Sequence, residues 1–273
     1  MLKLLLGRAG TGKTRALLEA MAAGDGRPQI LIVPEQHSHS MERQLCAIGG
    51  SRVSLFAEVL SFTRLANRVF SVYGGLAAPA LDGGGRLLLL CAALKSVAPE
   101  LRVYQRPSRK PAFLSGLLAT VDELKTCRIT PEQLWTAGEE SGGGEGDKLR
   151  DLSLIYGAYE AMTARQGADP RDRLTRLAEA LTREDWAVGK DFYLDAFTDF
   201  TPQERAVLSA LLGKANSVTV ALTCDKLEED EGGAGIFSPA RRTARQLLRL
   251  AQERGVPRSE EHTSELQSPM FIS

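Results

Sequence analysis

The sequence predicts an α/β fold, a parallel sheet core split by an all-helical insertion. Three observations carry that expectation. Short apolar runs alternate with amphipathic stretches near both ends of the chain, the order of strands and crossover helices that cover both faces of a sheet. No strand signal occurs between about Gly74 and Lys190, where every periodic segment reads as helix. A glycine-rich motif ending in lysine and threonine stands between the first strand and the first helix.

Leu2 to Leu6 is a short apolar run that ends in glycine, as a buried strand does. Thr14 to Ala23 is rich in Ala, Leu, Glu and Met and is followed by Gly24, a helix with a glycine stop. Gln29 to Val33 is a second buried strand, closed by Pro34. Ser40 to Ala47 reads as helix, Arg52 to Phe56 as a third strand and Phe62 to Tyr73 as helix. Four helices follow, over Arg86 to Val97, Ala112 to Thr126, Lys148 to Arg165 and Arg171 to Leu181. Glycine triplets at Gly83-Gly84-Gly85 and Gly142-Gly143-Gly144 act as breaks. In the third of these helices Leu149, Leu152, Tyr156, Tyr159 and Met162 recur every three or four residues and make one apolar face. The α/β pattern then resumes. Phe192 to Leu194 is a strand, Pro202 to Leu212 a helix capped by Thr201, Ser217 to Thr223 a strand and Ser238 to Glu253 a helix. The expected organisation is a core over 1–78, a helical insertion over 79–189 and a second core segment over 190–257.

Residues 258–273 are set apart. Arg258 to Ser268 has no apolar periodicity and no join to what precedes it, and it looks like a sequencing adapter translated as coding sequence. It is expected to be a non-native tail without function.

Composition narrows the class. The 273 residues carry 34 basic and 34 acidic side chains, and 43% are hydrophobic, which is ordinary for a globular chain. Neutral overall charge argues against a generally basic nucleic-acid coat and leaves room for a local basic groove. No apolar run reaches the roughly 18 residues that span a bilayer, and the short apolar start leads straight into a motif, so a cytoplasmic protein with no membrane partner is expected. Cys46, Cys91, Cys127 and Cys224 are far apart and form no Cys-x-x-Cys pair, so they read as scattered thiols. His37 and His39 lack the companions a metal pair would need.

The motif Gly7-Arg8-Ala9-Gly10-Thr11-Gly12-Lys13-Thr14 fits G-x-x-x-x-G-K-[ST] throughout. Its glycines let backbone N–H groups turn inward to cradle phosphates, and the helix that follows adds its positive end. Lys13 is expected to reach the β- and γ-phosphates of ATP, and the Thr14 hydroxyl to coordinate Mg²⁺. Such a loop needs an acidic partner at the end of a buried strand. Asp195, after Phe192-Tyr193-Leu194, is that candidate, acting on Mg²⁺ and, with Lys13, forming the candidate catalytic pair. Ala196 follows it, and alanine cannot polarise an attacking water.

The N-terminal motif, then Val33-Pro34-Glu35-Gln36, then Ser61-Phe62-Thr63-Arg64-Leu65-Ala66, then Asp195-Ala196-Phe197-Thr198-Asp199-Phe200-Thr201-Pro202-Gln203-Glu204 resemble the N-terminal part of the AddB family. Ser217 to Asp225 and Tyr156 to Leu174 are similar as well, so the resemblance covers about residues 1–257. It implies a superfamily 1 helicase-like, RecA-like core within the AddB component of the bacterial AddAB helicase–nuclease, which works with an AddA-like partner on DNA in double-strand break repair. It further implies an ATP-binding module that does not drive unwinding, and a nuclease with a 4Fe–4S cluster in a C-terminal part that nothing here matches. Gln36, His37, Ser61, Phe62 and Arg64 fall where such helicases touch single-stranded DNA, through polar groups on phosphates and a ring that stacks a base. Two rival readings stay open: a catalytically silent ATP-binding scaffold for DNA recognition, and an unrelated nucleotide kinase. For the kinase Arg106, Arg109 and Lys110 would have to serve as a lid.

Overall fold

The computed structural model describes the chain except for residues 25, 78, 106–110, 226, 228–234 and 263–273. The described residues form an α/β protein with one six-stranded, all-parallel sheet. In chain order its elements are β1 (Leu2–Gly7), α1 (Lys13–Ala22), β2 (Gln29–Ile32), α2 (Ser38–Gly49), β3 (Ala57–Leu60), α3 (Phe62–Tyr73), α4 (Gly83–Val97), α5 (Pro111–Cys127), α6 (Pro131–Ser141), α7 (Gly143–Gln166), α8 (Arg173–Arg183), β4 (Asp191–Leu194), α9 (Pro202–Lys214), β5 (Ser217–Thr223), α10 (Ser238–Glu253) and β6 (Arg258–His262). The strand order is β3-β2-β4-β5-β1-β6, so β5 separates the strand that precedes the glycine loop from the strand that precedes Asp195. Parallel strands need crossovers, and the helices that supply them cover both sheet faces.

The chain divides into two compact units. The first comprises Met1–Tyr73, Leu174–Phe200 and Glu204–Ser273 and contains the sheet; the second comprises Gly74–Arg173 and Thr201–Gln203 and is helical. In the sheet unit, Leu2, Leu4, Leu6, Ile30, Ile32, Phe192 and Leu194 meet Leu65, Val69, Leu208 and Leu247 on one face. Leu5, Leu31 and Val59 meet Leu17, Met21, Met41 and Leu45 on the other. Alternate residues of one strand thus feed two cores, which is why the strands read as continuous apolar runs. In the helical unit Leu90, Leu94, Leu117, Val121, Ile155 and Tyr159 form a separate core. Among the described residues no helix is long and apolar enough to cross a membrane.

Several expectations need correction. The segment expected as the third strand begins as a 3₁₀ turn at Val53–Leu55, with Leu55 83% exposed, and the strand lies further on at Ala57–Leu60. Pairing decides this: β2 sets Gln29 beside Ala57 and Ile32 beside Leu60. Gly83-Gly84-Gly85 is no break but the first turn of α4, held by Asp82, whose carboxylate accepts from the Gly85 N–H at 2.6 Å. Helix α6 was not expected. Thr130 and Gln133 start it with a reciprocal capping box, and Pro131 sits at its first position. The strand β6 was not expected either, and it lies in the stretch set apart as a tail. Its side chains are polar, so no periodicity betrays it; it is held through its backbone, in parallel register with β1 from Leu2–Arg258 to Leu6–His262.

Candidate functional site

Every residue of the expected nucleotide site lies at the carboxyl end of a sheet strand, where the crevices of open α/β sheets form. Strand β1 ends at Gly7, and the chain turns through residues 8–12 into α1. Gly10 and Gly12 both have left-handed backbones, with φ of 81° and 80°. A Cβ at Gly10 would meet nothing within 4 Å, so conformation rather than space demands glycine there. No side chain caps the start of α1 and no acidic residue stands in its first turn. Its leading N–H groups and the positive end of its dipole therefore face the turn without a built-in anion.

Lys13 is 8% exposed, and its ammonium folds back across the loop. Nζ donates to the Gly7 carbonyl at 2.7 Å and the Arg8 carbonyl at 2.6 Å. Burial pulls its pKa below the ordinary lysine value, and the negative charge of Asp195 works against that pull. The Gly7 carbonyl also accepts from the Cys224 N–H at 3.1 Å, which ties the turn to the end of β5. Thr11 closes the turn with a hydroxyl bond to the Arg8 carbonyl at 2.9 Å.

Asp195 follows β4 and is 6% exposed. Its N–H extends the ladder to the Ile32 carbonyl at 3.2 Å, and its Oδ1 accepts from the Ala196 N–H at 2.8 Å. Its Oδ2 is buried and has no hydrogen-bond partner among the described residues. A buried carboxylate oxygen left this way costs free energy unless something positive meets it. With Lys13 supplying a second charge and the Thr14 hydroxyl in the first turn of α1, this donor set suits a hard cation with an anionic ligand. Ala196 is in the left-handed region at φ 65°, unusual for a residue with a Cβ.

The other expected contacts separate. Gln36 and His37 are exposed on the 3₁₀ turn Glu35–His37 that follows β2. Arg64 is half exposed and pairs with Glu42 at 3.3 Å. Ser61 and Phe62 are instead built into the fold. The Ser61 hydroxyl accepts from the Arg64 N–H at 3.2 Å at the start of α3, and Phe62 is 6% exposed. Its ring meets Phe197 and Phe200 edge-on, with centroids 5.7 and 6.5 Å away, so it packs protein rather than a base. Arg106, Arg109 and Lys110 lie outside the described residues. Sequence reasoning passed over Cys224 and Asp225 at the end of β5. Asp225 pairs with Arg241 of α10 at 2.7 Å, and burial raises the pKa of the Cys224 thiol. Their sequence signals are a position just past a strand end and a place in the Ser217 to Asp225 stretch that resembles the AddB family.

The family model described as ADDB, N-terminal, matches residues 4–271. The chain belongs to this AddB N-terminal family. Among curated relatives it is 35% identical over 260 residues to the AddB protein of Thermoanaerobacter sp. (strain X514), named as a component of an ATP-dependent helicase/deoxyribonuclease; the match covers 93% of this chain and 23% of that one. It is 39% identical over 265 residues to the protein of the same name from Desulforudis audaxviator, with the same coverages. Against that of Pelotomaculum thermopropionicum it is 37% identical over 272 residues, covering 94% and 23%. The chain thus spans about a quarter of the length of the AddB relatives it matches.

Proposed function

We propose that this chain is the ATP-binding, DNA-engaging N-terminal part of a helicase–nuclease subunit that processes double-strand DNA ends for recombinational repair, with an AddA-like partner. One observation carries the reading: an uncapped helix start carries a buried lysine that feels the charge of Asp195, whose buried Oδ2 has no hydrogen-bond partner among the described residues. On this reading the sheet is a RecA-like phosphate-loop core. A triphosphate accepts the leading N–H groups of α1 and draws the Lys13 ammonium off the Gly7 and Arg8 carbonyls. Magnesium, when bound, shields phosphate charge; the Thr14 hydroxyl and Asp195 Oδ2 are the groups that hold it, directly or through water. Gln36, His37 and Arg64, at the ends of β2 and β3, meet the DNA backbone.

Ala196 favours a silent form of the same module. A methyl group, exposed and beside Asp195, neither accepts a proton nor orients a water, so nucleotide binding is expected to outlast turnover. The test is the affinity of the chain for a fluorescent ATP analogue with magnesium. Lys13→Ala is expected to abolish binding while the far-ultraviolet circular dichroism stays unchanged; an affinity that survives the substitution would overturn the assignment of the loop.

A further inference from the structure

The chain is neutral overall, yet its charge is not evenly spread. Helix α10 turns Ala240, Ala244, Leu247 and Ala251 into the sheet core, and these residues are 0–7% exposed. Its opposite face carries Arg242, Arg245 and Arg249, all exposed or half-exposed. At 3.6 residues per turn the three lie within a sector of about 60° and span about 10 Å along the axis. Of the other charges on α10, Arg241 turns inward to Asp225, and Glu253 stands alone as the helix's acid, in its last turn. Just beyond the helix Arg254 bonds Ser209 of α9 at 2.9 Å, and Arg205 of α9 bonds the Phe200 carbonyl at 2.6 Å, so the flank adds two more cations. Arg245 donates to the Leu227 carbonyl at 3.3 Å.

We propose that the Arg242–Arg245–Arg249 stripe of α10 is a second nucleic-acid surface, a track for the phosphodiester backbone distinct from the residues at the ends of β2 and β3. It rests on the reading of this chain as DNA-engaging and adds a surface to it. The stripe cannot be an amphipathic membrane helix, because its apolar side is already buried in the core. Charge complementarity names the ligand. A strand of duplex places one phosphate per about 3.4 Å of axis, so a stripe of about 10 Å meets roughly three. Guanidinium groups suit phosphate better than ammonium groups do, through paired N–H bonds. Glu228, Glu229, Asp230 and Glu231, which lie outside the described residues, precede α10 in sequence, so salt dependence is a better readout than charge count.

The test measures anisotropy of fluorescein-labelled single-stranded and duplex oligonucleotides from about 50 to 300 mM NaCl, for the chain and for Arg242→Gln/Arg245→Gln/Arg249→Gln. None of the three side chains is buried in the core, and circular dichroism checks that the fold persists. The slope of log K against log salt is expected to fall in magnitude by about 2 on single strands and by somewhat more on duplex, with at least a roughly tenfold loss of affinity at about 100 mM salt. A parallel variant, Arg15→Gln/Arg183→Gln, removes exposed arginines elsewhere and is expected to change the slope little. Unchanged slope and affinity in the triple variant would overturn the stripe alone, and loss of poly-L-glutamate binding in that same variant would reassign it to an acidic protein. A parent chain that binds neither oligonucleotide would overturn the DNA-engaging reading together with the stripe.

Discussion

Asp195 and Ala196 are adjacent residues with opposite problems. Asp195 has a buried oxygen with no hydrogen-bond partner among the described residues, and Ala196 has a backbone suited to glycine. Asp195→Asn keeps the acceptor for the Ala196 N–H and removes the charge. Nucleotide affinity is expected to lose its magnesium dependence, read by titrating the analogue with magnesium and with EDTA; a dependence equal to that of the parent would detach Asp195 from the metal. The left-handed conformation costs a residue with a Cβ about 1–2 kcal/mol, and the greater freedom of glycine in the unfolded chain takes back roughly 0.5–1 kcal/mol of what relieving it would gain. Ala196→Gly is therefore expected to stabilise the fold by about 0.5–1 kcal/mol, seen as a rise in thermal midpoint. No rise would mean that the left-handed turn carries no strain.

The helical unit depends on a buried charge network. Asp169, 3% exposed, accepts from the Tyr159 hydroxyl at 2.8 Å and the Arg171 N–H at 2.9 Å, and it pairs with Arg86 at 3.0 Å and Lys125 at 3.5 Å. Lys125 also meets Asp172 at 2.7 Å and Glu160 at 2.5 Å, and Arg86 pairs with Asp122. Burial by itself would raise the Asp169 pKa, but the Arg171 N–H, Lys125, Tyr159 and Arg86 outweigh it and hold the carboxyl below its ordinary value. The stability this carboxylate contributes is therefore complete above the unfolded pKa of about 3.9 and is lost as pH falls through the lower folded value. Glu160 and Asp172 titrate the other way, because burial raises both. The Asp169 share is expected as extra acid sensitivity, below the ordinary carboxylate range of about pH 4, that vanishes in Asp169→Asn, measured by denaturant titration at stepped pH. Asp169→Ala leaves Arg86 and Lys125 buried without that partner and is expected to cost about 3–5 kcal/mol. A cost below about 1 kcal/mol would mean that the two cations find water.

At the scale of the whole molecule, the sheet brings to one edge residues that are far apart in sequence. Gly7 and Cys224 meet, and Asp195 stands at the same carboxyl end of the sheet, because β5 lies between β1 and β4 and all three strands run the same way. A chain that spans about a quarter of its AddB relatives supplies one such edge. ATP turnover by this chain is expected to stay near background in a coupled assay, with or without single-stranded DNA. Brisk turnover would contradict the silent reading of Ala196.

Strong local signals were legible without coordinates. The helices Phe62–Tyr73 and Ser238–Glu253 and the strand Ser217–Thr223 have the bounds their periodicity predicts, because each buries one face or is largely apolar. The glycine loop between β1 and α1 was equally plain, since its backbone must turn through left-handed positions. Other features needed the fold. The start of β3 is set by its register with β2, the polar β6 is held by backbone bonds to β1, and Phe62 is claimed by two rings from beyond β4. Local chemistry determined which segments turn, coil and extend. Only tertiary packing decided which polar atom was left buried without a partner and which aromatic ring was covered, because burial belongs to neighbours that the sequence does not place side by side.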